Sequence, residues 1–114
     1  METEDSASVH FQELRRGTVV LACLLRLRTP DYGYALLESL DDLGFATDAN
    51  TLYPLLRRLE KQGYLTSEWN TDEARPRKFY RTNAAGERLA ADLTTDWDRL
   101  NASIVRLTRE EDPS

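Results

Sequence analysis

Asn50, Thr51, Tyr53, Arg57, Arg58 and Lys61 lie close together in the chain, and Arg75, Arg77 and Lys78 follow in a short polar turn. Side chains of these types donate hydrogen bonds to phosphate oxygens and to the edges of bases. Their chemistry is that of holding a polyanion rather than of breaking bonds. What must position them is a helix: at about 100° per residue, Leu52, Leu55, Leu56 and Leu59 fall on one face. Asn50, Tyr53, Pro54, Arg57 and Lys61 fall on the other, flanked by Thr51 and Arg58. A helix with a leucine side and a basic outer side, attached to a basic hairpin, reads as the recognition helix and wing of a DNA-binding domain. Arg75, Arg77 and Lys78 would then lie along the phosphate backbone, with Pro76 stiffening their turn. Asn50 and Thr51 are equally suited to capping the helix and to contacting a groove.

Other chemistries lack a constellation. His10 and Cys23 are the only residues of their kinds and have no ligand-like spacing to each other, so neither a metal site nor a cofactor is expected. The carboxylates Asp41, Asp42, Asp96 and Asp98 sit on polar faces with no nucleophile or base arrayed around them, which excludes an obvious catalytic site. One cysteine rules out an internal disulfide and fits a reducing cytoplasm.

With 114 residues the chain makes one domain, and its net charge of −5 argues against coating nucleic acid indiscriminately. The distribution of that charge is more telling than its sum. Residues 48–82 hold seven basic side chains against five acidic, whereas residues 83–114 hold seven acidic against four basic. The acidity is thus separable from the basic face. The first ten residues are acidic and polar where a secretory signal would be basic and then apolar, and no apolar run approaches membrane-spanning length, so a cytoplasmic protein without membrane contact is expected.

Residues 1–10 read as a disordered leader. A helix runs from Phe11 to about Leu27, where Thr29-Pro30 ends it. Asp31 is a plausible N-cap for a second helix through Tyr34, Leu36, Leu37 and Leu40, with Gly44 as its stop. Asp48, Asn50 and Thr51 compete to cap the third, which Gly63 terminates. If that helix begins as early as Asp48, Pro54 lies beyond its first turn and must remove a backbone bond. Leu65–Trp69 and Lys78–Thr82 form a hairpin around the turn 70–76, and Asn83 caps a long last helix.

The expected fold is therefore mainly α with a β-hairpin: a winged helix-turn-helix over residues 11–82, a C-terminal helix over 83–108 and a polar tail over 109–114. Leu89, Leu93, Trp97, Leu100, Ile104 and Leu107 recur along the last helix at coiled-coil-like spacing. Such a seam needs a cover, and a second copy of the chain would supply it, making a homodimer.

Four stretches carry a family resemblance: Arg15-Arg16-Gly17-Thr18, Tyr32-Gly33-Tyr34-Ala35-Leu36, the run from Thr51 to Leu65, and Arg75-Pro76-Arg77-Lys78-Phe79-Tyr80-Arg81-Thr82 with Gly86. Together they resemble the short form of the PadR family of transcriptional regulators over nearly the whole of residues 11–107. The resemblance implies a homodimeric winged-helix repressor acting on a double-stranded DNA operator, with Tyr53 at the DNA face. It also implies a response to small phenolic or aromatic effectors near the dimer interface, where Trp97 would stack on a flat ligand and Phe11 and Leu14 would line the same space. Ala74 stands where a glycine often precedes Arg-Pro-Arg-Lys, and Asn50 where a small residue is usual before Thr51. The alternative from another class is a winged-helix protein-interaction module that binds no nucleic acid, and the acidic total charge favours it.

Overall fold

The computed structural model describes residues 2–72 and 74–109, and side chains from Ser6 onward. Helix α1 spans Glu2–Arg26, strand β1 Asp31–Tyr32, helix α2 Gly33–Asp42, helix α3 Ala49–Lys61, strand β2 Leu65–Asn70, strand β3 Arg77–Thr82 and helix α4 Ala84–Thr108. The sheet is antiparallel in the order β1-β3-β2, with Leu65 opposite Thr82 and Asn70 opposite Arg77 across the hairpin. Leu24, Leu27, Leu36, Leu40, Leu52 and Leu56 are fully buried and bring α1, α2 and α3 onto one core, which Leu65 and Tyr80 of the hairpin and Ala90 of α4 complete.

Polar details fix the junctions. Asp48 wins the competition to cap α3, its carboxylate accepting from the Thr51 amide at 2.8 Å. Helix α2 ends with Gly44 at φ +93°, where the Phe45 amide reaches back to the Leu40 carbonyl, and Ala46 then takes a left-handed φ of +48°. Thr82 ties the last strand to the end of α1: its hydroxyl donates to the Leu24 carbonyl at 2.6 Å and its amide to the Leu27 carbonyl at 2.9 Å. These carbonyls have no partner within the helix, so the strand supplies one. Asn83 caps α4, accepting from the Gly86 amide, and Gly86 packs so closely that a Cβ there would stand 2.3 Å from the Tyr64 carbonyl oxygen.

Two expectations are corrected. The leader is helical from Glu2, because no glycine or proline interrupts residues 2–16 and extending a formed helix costs far less than nucleating one. Asp31 does not cap α2. Tyr32 occupies that position without a side-chain cap, while Asp31 opens a short third strand against Tyr80 and holds Arg26 at 2.7 Å. Arg26 also donates to Ser39 at 3.0 Å, so one buried-side ion pair stitches α1, β1 and α2 together. Leu89 and Leu93 of the expected seam are half-buried against the protomer's own core, and α4 packs on α1. Only the distal part of the seam stays open: Trp97, Leu100, Ile104 and Leu107 are exposed, as are Phe11 and Leu14 on the first half of α1. Residues 110–114 of the expected tail lie outside the described residues.

Projection of α1 and α4 gives the chain a radius of gyration of 17.2 Å. A compact chain of about 100 residues has roughly 13 Å. Among the described residues no helix is long and apolar enough to cross a membrane.

Candidate nucleic-acid interface

Helix α3 turns Leu52, Leu55, Leu56 and Leu59 inward and leaves Asn50, Thr51, Arg57, Arg58 and Lys61 exposed. Pro54 stands beyond the first turn, so it offers the Asn50 carbonyl no backbone amide to accept from. Among the described residues, neither Arg57, Arg58 nor Lys61 is drawn into an ion pair, and all three guanidinium or ammonium groups are available to an external anion.

The wing is fastened to this helix by a carboxylate that sequence reasoning passed over. Glu60 accepts a short hydrogen bond from the Ser67 hydroxyl on β2 and pairs with the Lys78 ammonium on β3 at 3.3 Å. The Ser67 hydrogen bond, and beyond it Lys78, hold the Glu60 carboxyl below the usual carboxylate range against the opposing effect of burial. Burial works against the Lys78 ammonium, but the hydrogen bond to Glu60 and the Tyr80 and Glu60 charges outweigh it and keep its pKa raised. Lys78 also lies 5.3 Å from the centre of the Tyr80 ring. It is half-buried and engaged, and so acts first as a strut between wing and helix.

Arg77 stacks 4.3 Å above the Tyr32 ring, whose edge meets Phe79 at a centroid distance of 5.5 Å. Its guanidinium plane is thereby oriented while its outer edge stays open to hydrogen bonding. Tyr53 joins the same region from α3. The Gly33 Cα packs against its ring so tightly that a Cβ would stand 2.2 Å from the ring carbon Cε1. Between α2, α3 and the wing this leaves a cleft of about 590 Å³ lined by Tyr32, Gly33, Tyr34, Tyr53, Arg75, Arg77, Lys78 and Tyr80. Of the nine residues assigned to DNA from sequence, four meet in this cleft, Asn50, Arg57 and Lys61 share the open face of α3, and Thr51 and Arg58 turn to the helix's opposite flank. Cys23 is fully buried, and burial pushes its thiol pKa up to about 12, so it is chemically inert in the folded protein.

The Transcriptional regulator PadR-like family model matches residues 20–92, which takes in the core, α3, the wing and the start of α4. The chain belongs to the PadR-like family of transcriptional regulators. A curated relative, Transcriptional regulator Rv3488 of Mycobacterium tuberculosis, is 40% identical over 101 residues, covering 88% of each chain. The crystal structure of a PadR family transcriptional regulator from Eggerthella lenta is 47% identical with a TM-score of 0.90, covering 95% of this chain and 96% of that one. A Streptococcus transcriptional regulator is 27% identical with a TM-score of 0.75 over 83% of this chain and 96% of its own. The family and these relatives are transcriptional regulators, not enzymes.

In this PadR-like regulator the sequence motifs around Tyr32 and Tyr80 carried more than the resemblance assigned them. Both tyrosines form the aromatic floor under Arg77 and Lys78. The available signal was an aromatic-glycine-aromatic run beside a helix start, which calls for something to pack on a residue without a side chain.

Proposed function

We propose that the chain is a homodimeric, sequence-specific DNA-binding repressor whose α3 enters the major groove while its wing follows the adjoining backbone. PadR regulators bind DNA and typically dimerise, and one observation supports the same reading for this chain. Tyr53 of α3 and Arg75, Arg77 and Lys78 of the wing line a single cleft beside the open row of Asn50, Arg57 and Lys61. The basic face is contiguous in space, which a protein-interaction module with an acidic chain does not call for. The exposed row of Trp97, Leu100, Ile104 and Leu107 supports the dimer, as an uncovered stripe of large apolar side chains is uncommon on a monomer.

Relief of repression by a flat aromatic effector is part of this reading. Trp97 is 47% exposed and offers apolar aromatic surface to a flat ligand, and Phe11 and Leu14 are exposed on α1. A ligand that prefers a different spacing of the two DNA-binding heads weakens DNA binding by the same free energy with which DNA weakens the ligand's binding.

The test is fluorescence anisotropy on a duplex selected by the protein from a random pool. Arg57→Ala and Lys61→Ala should each weaken binding by about 1–3 kcal/mol if they read bases. Unchanged affinity in both would favour the protein-interaction reading. Light scattering at micromolar concentration should give about twice the 13.1 kDa chain mass, and planar aromatics should quench fluorescence in wild type but not in full in Trp97→Phe.

A further inference from the structure

A second cleft, of about 410 Å³, lies on the flank of α3 opposite the wing, between that helix, the middle of α1 and the loop that joins α2 to α3. Arg15 and Arg16 of α1 and Arg58 of α3 stand around it, above a floor that includes Val19, Phe45 and Leu55. We propose that Arg15, Arg16 and Arg58 form a phosphate site in this cleft, and that it holds a backbone phosphate of the bound duplex on the strand the wing does not touch. The inference rests on the DNA-binding reading above and assigns Arg15 and Arg16, which that reading leaves idle.

Three features carry it. All three guanidiniums are exposed, and among the described residues none is in an ion pair, whereas Lys78 on the wing is held by Glu60. The carboxylate that shares the cleft, Asp48, is already engaged as the cap of α3, accepting from the Thr51 amide. Three positive charges around one cleft add their potentials there, so an anion is attracted more strongly than by any one of them alone.

The third feature is placement. At about 100° per residue, Thr51, Leu55 and Arg58 lie to one side of the outward row Asn50, Arg57 and Lys61, and Tyr53 and Glu60 lie to the other. The two basic clefts therefore border the outward face of α3 on opposite flanks. A helix seated in a major groove about 12 Å wide has one sugar-phosphate strand on each side. The wing and its cleft serve one strand, and the cleft beside α1 is where the other passes. A phosphate seated there fixes the register and tilt of α3 without reading sequence.

The same chemistry would accept a free phosphate, so the experiment has two arms. In the first, the full-length protein is titrated onto the selected duplex and onto a scrambled one across a range of salt. Arg15→Gln/Arg16→Gln should weaken binding to both duplexes alike, by about tenfold, and flatten the dependence of log affinity on log salt by about 1 to 2. Arg15→Lys/Arg16→Lys, which keeps the charge, should retain the wild-type salt dependence. A neutral methylphosphonate scanned along each strand should cost the wild type affinity at one position in each half-site, on the strand away from that head's wing, and cost the Gln variant nothing there. Equal affinity and equal salt dependence in the Gln variant, with Arg57→Ala still impaired, would overturn the phosphate site and leave DNA binding by α3 and the wing standing. Failure of the wild type to bind any duplex would remove both. In the second arm, inorganic phosphate is titrated by calorimetry against the DNA-free protein at constant ionic strength. Saturable binding below millimolar concentration, lost in the Gln variant while its DNA affinity is unchanged, would assign the cleft to free phosphate and overturn the backbone assignment.

Discussion

Replacing Gly33 by alanine tests the packing that places Tyr53. A Cβ built on Gly33 would lie 2.2 Å from Cε1 of Tyr53, 3.0 Å from Cδ1 and 3.1 Å from Cζ. Carbon atoms in good contact sit about 3.5–4.0 Å apart, so the ring must swing by roughly 1.5 Å to accept the methyl group. Overpacking of this kind costs about 1–3 kcal/mol. Alanine in place of glycine favours the helix by up to about 1 kcal/mol, less at the first position of α2, where Gly33 stands. The net expectation is a destabilisation of about 1–2 kcal/mol, and in a domain of this size each kcal/mol lowers the melting temperature by about 4–8 °C. Thermal unfolding followed by circular dichroism measures this directly. DNA affinity should fall further than stability explains, because the displaced phenol no longer lies where the cleft needs it. The control is a double-mutant cycle: in a Tyr53→Ala background the obstacle is gone, and Gly33→Ala should be neutral or stabilising by a few tenths of a kcal/mol. Equal cost in both backgrounds would refute the reasoning and place the strain elsewhere.

Asp48→Ala removes the cap of α3 and should cost about 1 kcal/mol in denaturant unfolding, with no change in the slope of the transition. Thr82→Val keeps the shape of a buried residue but deprives the Leu24 carbonyl of its donor, for an expected loss of about 1–3 kcal/mol by the same measurement. Glu60 has its folded-state pKa depressed, so the stability it contributes is fully present above the unfolded value of about 4.3 and is lost as pH falls through the lower folded value. Wild type should accordingly lose stability faster than Glu60→Gln on acidification below about pH 4.3, and parallel pH profiles for the two proteins would show that the strut carries no linkage.

Much of the fold was legible because single elements announce themselves. The leucine row of α3 against Asn50, Arg57 and Lys61 specifies both a helix and its outward face by spacing alone, and Gly44, Gly63 and Asn83 mark helix boundaries through requirements that hold whatever surrounds them. The outward residues of α3 were nameable for the same reason: a side chain's position on a helix wheel is a local property.

What local pattern could not supply was which partner each polar residue would take. Asp31 has the chemistry of a helix cap, yet Arg26 and the edge of β3 claim it, and Asp48 excludes Asn50 and Thr51 as caps only because the turn after Phe45 brings its carboxylate to the Thr51 amide. Lys78 has the chemistry of a phosphate ligand, and that the fold also brings Glu60 to it from another element is not readable from spacing. Leu89 and Leu93 follow the same spacing as Leu100 and Ile104, and only the lie of α4 over α1 divides the seam into a covered half and an open one. The elements, their faces and the family are legible along the chain, because they depend on spacing within one segment. The tertiary structure decided the pairings, the cleft around Tyr53 and the gathering of Arg15, Arg16 and Arg58, because ion pairs and clefts are made by residues far apart in sequence that come together only when the core closes.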